Sequence, residues 1–160
     1  MNKIIPYLWF DSQAEAAARL YVSLFKNSAV GAITRYSEAG AKASNRPAGS
    51  VMTVEFRLED QDFIALNGGP TFSFSPAISL FVNCRTQKEV DRLYDGLAEG
   101  GEVQPCGWVK DKYGVSWQIV PVALGRMLKD KDPQRVERVM RALLEMKKID
   151  IAALKRAYGE

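Results

Sequence analysis

The chain holds 160 residues, 47% of them hydrophobic and 26% charged, with a net charge of +3 and no histidine. Such a balance predicts one soluble globular domain whose core needs neither disulfide nor structural metal. The missing imidazole excludes Ser-His-Asp and Cys-His hydrolysis, HExxH zinc chemistry and the two-His-one-carboxylate iron site. No run approaches the roughly 18–20 apolar residues of a membrane span, and the start MNKIIPYLWFD lacks a signal-peptide pattern, so the expectation is a cytoplasmic protein. Cys84 and Cys106 form no CxxC pair and read as reduced, packed thiols. Charge is uneven along the chain. Residues 126–160 carry ten Lys/Arg against six Asp/Glu, interspersed as on a solvated helical face, and no nucleic-acid motif accompanies them.

In chain order, KIIPYLWF alternates Ile5, Tyr7 and Trp9 on one face, and Pro6 marks an edge or terminal strand. Ser12-Gln-Ala-Glu15 has the form of a capping box, which predicts a helix to about Phe25 with Ala16, Leu20, Tyr21 and Leu24 on its packed stripe. AVGAITRY over 29–36 reads as a second strand, and the polar stretch 37–49 as a long loop. Residues 50–67 then read as a hairpin turned by EDQD, stopped by Asn67-Gly68-Gly69-Pro70.

The order then repeats. PAISLFVN from Pro76 leads into a second capping box, Thr86-Gln-Lys-Glu89, and a helix with Val90, Leu93, Tyr94 and Leu97 inside. EVQPCGWV, a turn at Asp111–Gly114 and VSWQIVP close the second half. Leu8-Trp9-Phe10 matches Leu80-Phe81-Val82 at an offset of 72, and Arg19-Leu20-Tyr21 matches Arg92-Leu93-Tyr94 at 73. A duplicated βαβββ unit is the economical account, module 1 over 3–67 and module 2 over 76–121, in a single domain of residues 1–125. The 126–160 extension predicts two helices: one opened by Asp132-Pro133, with Val136, Val139, Met140, Leu143 and Leu144 at helical spacing, and a shorter one opened by Asp150 and closed by Gly159.

These residues carry a resemblance. Tandem βαβββ halves with YLWFDS, FIALNGGPTFSFSPAISL and CGWVKDKYGVSWQIVP resemble the vicinal oxygen chelate superfamily of glyoxalases, bleomycin-resistance proteins and extradiol dioxygenases. Within it they are similar to the PhnB-like branch, whose members often carry the name demethylubiquinone methyltransferase. The tail RVMRALLEMKKIDIAALKRAYG looks like that branch too. The resemblance implies an α+β fold of two curled sheets around a cleft, where metal-using members bind one divalent ion. Carried over by strand, the ligand positions fall on Ile5 or Tyr7, Leu66 or Asn67, Ala77 or Ser79, and Gln118 at the place of the final carboxylate. None offers an anionic or imidazole donor, so the expectation is no metal and no cofactor, with no catalytic residue assigned.

The cleft expected from this resemblance has Tyr7, Trp9, Phe81, Trp108 and Trp117 as aromatic lining and Asn67, Ser79 and Gln118 as neutral hydrogen-bonding groups, a mixture suited to an aromatic or amphipathic small molecule. Cys106 beside Lys110 and Lys112 reads either as a weakly activated nucleophile or as packing, Asp111 either as a general base or as a turn-former, and Gly68-Gly69 as the join between halves. Three functions stand: a metal-free small-molecule binder, a methyltransferase acting on a quinone-like phenol, and antibiotic sequestration. No glycine-rich strand-to-helix turn for a nucleoside accompanies the second. A homodimer through the Pro6 edge strand or the basic tail is expected, with no nucleic-acid or membrane partner.

Overall fold

The structure, a computed structural model, describes residues 2–160 and divides into two compact units, Met1–Phe74 and Ser75–Glu160. In the first, β1 (Tyr7–Phe10), α1 (Ala14–Leu24), β2 (Ala29–Arg35), α2 (Glu38–Ser44), β3 (Val51–Leu58) and β4 (Gln61–Asn67) follow one another. Their sheet runs β1-β4-β3-β2, with β1 parallel to β4 and the other pairs antiparallel. In the second, β5 (Leu80–Cys84), α3 (Gln87–Ala98), β6 (Glu102–Val103), β7 (Trp108–Lys110) and β8 (Ser116–Pro121) build a sheet in the order β5-β8-β7-β6. Here β5 is parallel to β8. Each unit is therefore a βαβββ module with the same strand order, as the repeat in the sequence predicts. Among the described residues no helix is long and apolar enough to cross a membrane.

Strand alternation decides what each sheet shows to its helix. In the first unit Phe10, Val54, Phe56, Leu58, Phe63 and Ala65 are buried on the face toward Ala14, Ala17, Ala18 and Tyr21 of α1. In the second, Val109, Trp117, Ile119 and Cys84 are buried on the face toward Val90, Leu93, Tyr94 and Leu97 of α3. The buried stripe of α1 is Ala14, Ala17, Ala18 and Tyr21, the i, i+3, i+4, i+7 spacing of one helix face, so Ala16, expected inside, falls off that face and is exposed.

Four local expectations change. Ser12 does not cap α1; the helix begins one turn-residue later, and the Asn67 side chain, 53 residues away, accepts the Ala14 amide at 2.8 Å. Thr86 does cap α3, accepting from the Glu89 amide, while Glu89 accepts from the amide of Arg85. The polar stretch 37–49 contains α2, capped by Ser37 and ended by Asn45 in the left-handed region. PAISLFVN pairs only from Leu80, so Ser79 precedes the strand. A short helix, α4 (Val122–Met127), precedes the two expected tail helices, α5 (Pro133–Leu144) and α6 (Ile151–Tyr158).

Those three helices pack into the second unit around Leu124, Met127, Val139, Leu143, Ile149 and Leu154. Gln87 of α3 clamps the incoming chain, donating to the Ile149 carbonyl and accepting from the Ile151 amide. Lys148 reaches Asp91 and Asp95 on the same helix. The extension is thus tied to α3 by polar contacts, while its apolar residues pack on one another and against Cys106 and Val120.

Asn67→Ala should destabilise the chain by about 1–3 kcal/mol, because it removes the α1 cap and the side-chain bond to the Val51 carbonyl together. Urea unfolding measures this directly. An unchanged midpoint would mean that Ser12 or water takes over the cap without cost.

Candidate functional site

With one face of each sheet given to a helix, the other face carries the chemistry. In the first unit the pairing register aligns Trp9, Leu66, Thr53 and Thr34 in one row and Tyr7, Ile64 and Glu55 in the next. In the second unit Phe81, Gln118 and Trp108 form a single row across β5, β8 and β7. Equivalent positions in the two modules follow from the shared topology: Trp9 corresponds to Phe81, Leu66 to Gln118, Thr53 to Trp108 and, two residues earlier, Tyr7 to Ser79.

The second unit's row is the better equipped. Phe81 is 54% exposed, Trp108 is half-buried, and the half-buried Gln118 amide donates to the Ser79 hydroxyl at 2.9 Å. That contact fixes the amide plane and leaves its carbonyl oxygen and second N–H for another partner. Apolar rings flank a held amide there, so the row can stack on an aromatic group and hydrogen-bond its polar substituent.

In the first unit Tyr7 is 55% exposed, and burial with the neighbouring Tyr36 phenol raises its own pKa, so Tyr7 is a neutral hydrogen-bond donor at pH 7. Trp9 is more tightly held. Its indole N–H donates to the Gly69 carbonyl at 2.9 Å, its ring meets Phe72 edge-on at 5.0 Å, and a Cβ on Gly68 would fall 2.3 Å from the ring atoms. The Gly68-Gly69 pair thus seats an indole, a role beyond the join expected of it.

Two expected ligand contacts are core residues instead. Asn67 lies one position past the free-face Leu66 and points to the helix side, where both ends of its amide are engaged. Trp117 is 1% exposed, and its indole N–H donates to Asp111 at 2.9 Å. The same Asp111 accepts the amides of Tyr113 and Val115, which places it among turn-formers and away from base catalysis. Cys106 sits in the left-handed region with its thiol toward the Leu143 carbonyl, a packed position.

Glu55 is the free-face group not singled out by its sequence. Its signal was present: it alternates with Val51 and Thr53, and the hairpin register puts it beside Ile64. Farther along the same face Arg57 and Asp62 pair at 2.7 Å, and this guanidinium, with the Asn2 amide, holds the Asp62 carboxyl down at about 2.

The positions at which the resemblance expects metal ligands carry neutral side chains in each unit. At the four ligand places the free faces offer a phenol at Tyr7, an alkyl group at Leu66, a hydroxyl at Ser79 and an amide at Gln118. Neutral oxygens without a carboxylate or imidazole hold magnesium or zinc poorly against water. Among the described residues no three His, Cys, Asp or Glu side chains gather as a metal-binding group.

Comparison with known proteins follows the same lines. The profile of the 3-demethylubiquinone-9 3-methyltransferase family matches residues 2–120. The PhnB protein of Bacillus cereus is 35% identical, with a TM-score of 0.68 over 76% of this chain and 100% of that one. The chain belongs to this family. This PhnB-like chain is also similar to protein PA1353 from Pseudomonas aeruginosa, at 23% identity and a TM-score of 0.61 over 76% and 98% of the two chains. A glyoxalase/bleomycin resistance protein from Albidiferax ferrireducens matches at 13% identity and 0.43, over 71% and 93%. No curated protein matches significantly. The family profile ends at residue 120, so α4, α5 and α6 of this PhnB-like chain lie beyond it.

Proposed function

We propose that this family member binds a small aromatic or amphipathic molecule, without a metal ion, against the free face of its second sheet. The observation that carries the reading is the row Phe81–Gln118–Trp108, in which two accessible rings flank an amide held by Ser79. A ring lying on Phe81 and Trp108 gains apolar contact, and a hydroxyl or carbonyl on it exchanges hydrogen bonds with Gln118. Tyr7 and Trp9 on the first sheet's free face are the corresponding groups of the other module. Sequestration of an antibiotic is the same binding with a different ligand.

Naphthol, a fused aromatic ring with one hydroxyl, serves as the probe in titration calorimetry. The intact chain should bind it without added metal, and Gln118→Ala should weaken binding by about tenfold while leaving the melting temperature within a few degrees. Equal affinity in Gln118→Ala and Trp108→Ala, or binding only after zinc or magnesium is supplied, defeats the reading.

The family's name favours a second reading, methyl transfer. Its cofactor would need a strand-to-helix turn whose backbone can wrap a nucleoside, and neither turn here suits that use. Phe10-Asp-Ser-Gln13 and Cys84-Arg-Thr86 contain no glycine, and both helix starts already have side-chain caps, from Asn67 and Thr86. Calorimetry with S-adenosylmethionine discriminates: micromolar binding would place methyl transfer ahead of simple binding.

A further inference from the structure

The first unit contains a hollow that the naphthol-binding row does not use. It has a volume of about 170 Å³ and opens where β2 loses register with β3, between Val30 and Ile33. Bulges of this kind re-aim side chains and are common beside binding sites. Ile5, Val30 and Ile64 supply apolar wall, and Glu55, Arg57 and Asp62 supply the charge. Gly31 sits directly over Glu55: a Cβ built there would lie 3.4 Å from the Glu55 Cβ, so any larger side chain extends across the carboxylate.

The two carboxylates of the hollow are not equally paired. Arg57 is bound to Asp62 at 2.7 Å, whereas half-buried Glu55 has no ion pair among the described residues. Glu55 is therefore the carboxylate of the hollow with no ion-pair partner there, set against an apolar wall. An anion meets repulsion there, a neutral molecule leaves the carboxylate partly desolvated and unpaired, and a cation with a short alkyl tail satisfies both features. The volume is below the roughly 300–1,000 Å³ of drug-sized sites, which restricts the occupant to a small molecule. We propose that this hollow is a second binding site, selective for a small primary alkylammonium whose nitrogen donates to the Glu55 carboxylate and whose chain lies against Ile5 and Ile64.

Three probes of matched length test it by calorimetry at neutral pH: hexylammonium, hexanol and hexanoate. The intact chain should bind hexylammonium, hexanol about tenfold more weakly, and hexanoate not at all, since a charge-assisted hydrogen bond supplies the difference. Glu55→Gln, nearly isosteric, should bring hexylammonium down to the level of hexanol, and Gly31→Val should close the site to both. Should Gly31→Val fold poorly, Glu55→Gln decides alone. Absence of hexylammonium binding at millimolar concentration, equal affinity for ammonium and alcohol, or an unchanged affinity in Glu55→Gln overturns the proposal. Gln118→Ala should leave hexylammonium binding unchanged. Loss there would also overturn it, by moving the amine to the naphthol row; naphthol binding and this site therefore fail separately.

Discussion

Asp111→Ala is expected to lower the free energy of unfolding by about 3–5 kcal/mol, among the largest effects of any single substitution in this chain. One carboxylate accepts three bonds there, from the Tyr113 and Val115 amides and from the indole of Trp117. Asp111 itself is 3% exposed. Removing it takes an acceptor from the buried Trp117 indole N–H and the buried Val115 amide, where solvent does not reach, and a third bond from the part-buried Tyr113 amide. The consequence reaches the proposed binding row, because this turn sets the pairing of Trp108 with Gln118 across β7 and β8. Naphthol affinity should therefore fall with stability, even though Asp111 touches no ligand. Asp111→Asn keeps an acceptor oxygen and should cost less than the alanine. Urea titration with the m-value held in view measures both, and a loss under about 1 kcal/mol for the alanine would show that the turn is held by its backbone bonds alone.

Gly107→Ala should cost about 2–4 kcal/mol and loosen the C-terminal helices. Its backbone lies at φ +84, which an L side chain adopts at a penalty of roughly 1–2 kcal/mol. The added Cβ would also fall 2.7 Å from the Ile119 carbonyl oxygen and 2.8 Å from Ile149. Both neighbours are poorly placed to yield: one is sheet backbone and the other is fully buried in the tail's apolar cluster. The amides of Cys106 and Gly107 donate to Met146 and Lys147, so displacement here pulls on the segment joining α5 to α6. Hydrogen exchange should show faster opening of α5 and α6 than of α1. Uniform protection across all three, with less than 1 kcal/mol lost, would mean that the extension docks independently of this turn.

Much of the architecture was legible because its signals are local. Thr86, Asp132 and Asp150 each cap the helix that follows, since a short polar side chain before an apolar stripe has few better uses. The α1 cap was missed because its acceptor comes from Asn67, on the far strand of the hairpin, and no local pattern announces a donor–acceptor pair so distant in sequence. Helix α2 was hidden by glycines and a proline around a short alanine-rich segment, where propensity is weak and one buried contact at Ala41 tips the balance.

Among the candidate site residues the same division holds. Phe81, Trp108 and Gln118 were named from strand position and do share a row; Asn67 and Trp117 were named on similar grounds and face a helix. Choosing between Leu66 and Asn67 was beyond the sequence because adjacent residues of a strand point to opposite sides. The long-range partners decided it.

By itself the sequence determined the duplicated module and the order of its elements along the chain, both of which follow from residue type and short-range spacing. The tertiary structure decided which side of each sheet packs on its helix, that Asp111 and Asn67 belong to the interior, and that Glu55, without an ion pair among the described residues, lines an apolar hollow. Those outcomes depend on cross-strand register and on which neighbour takes a polar atom, and both are fixed only when distant segments meet.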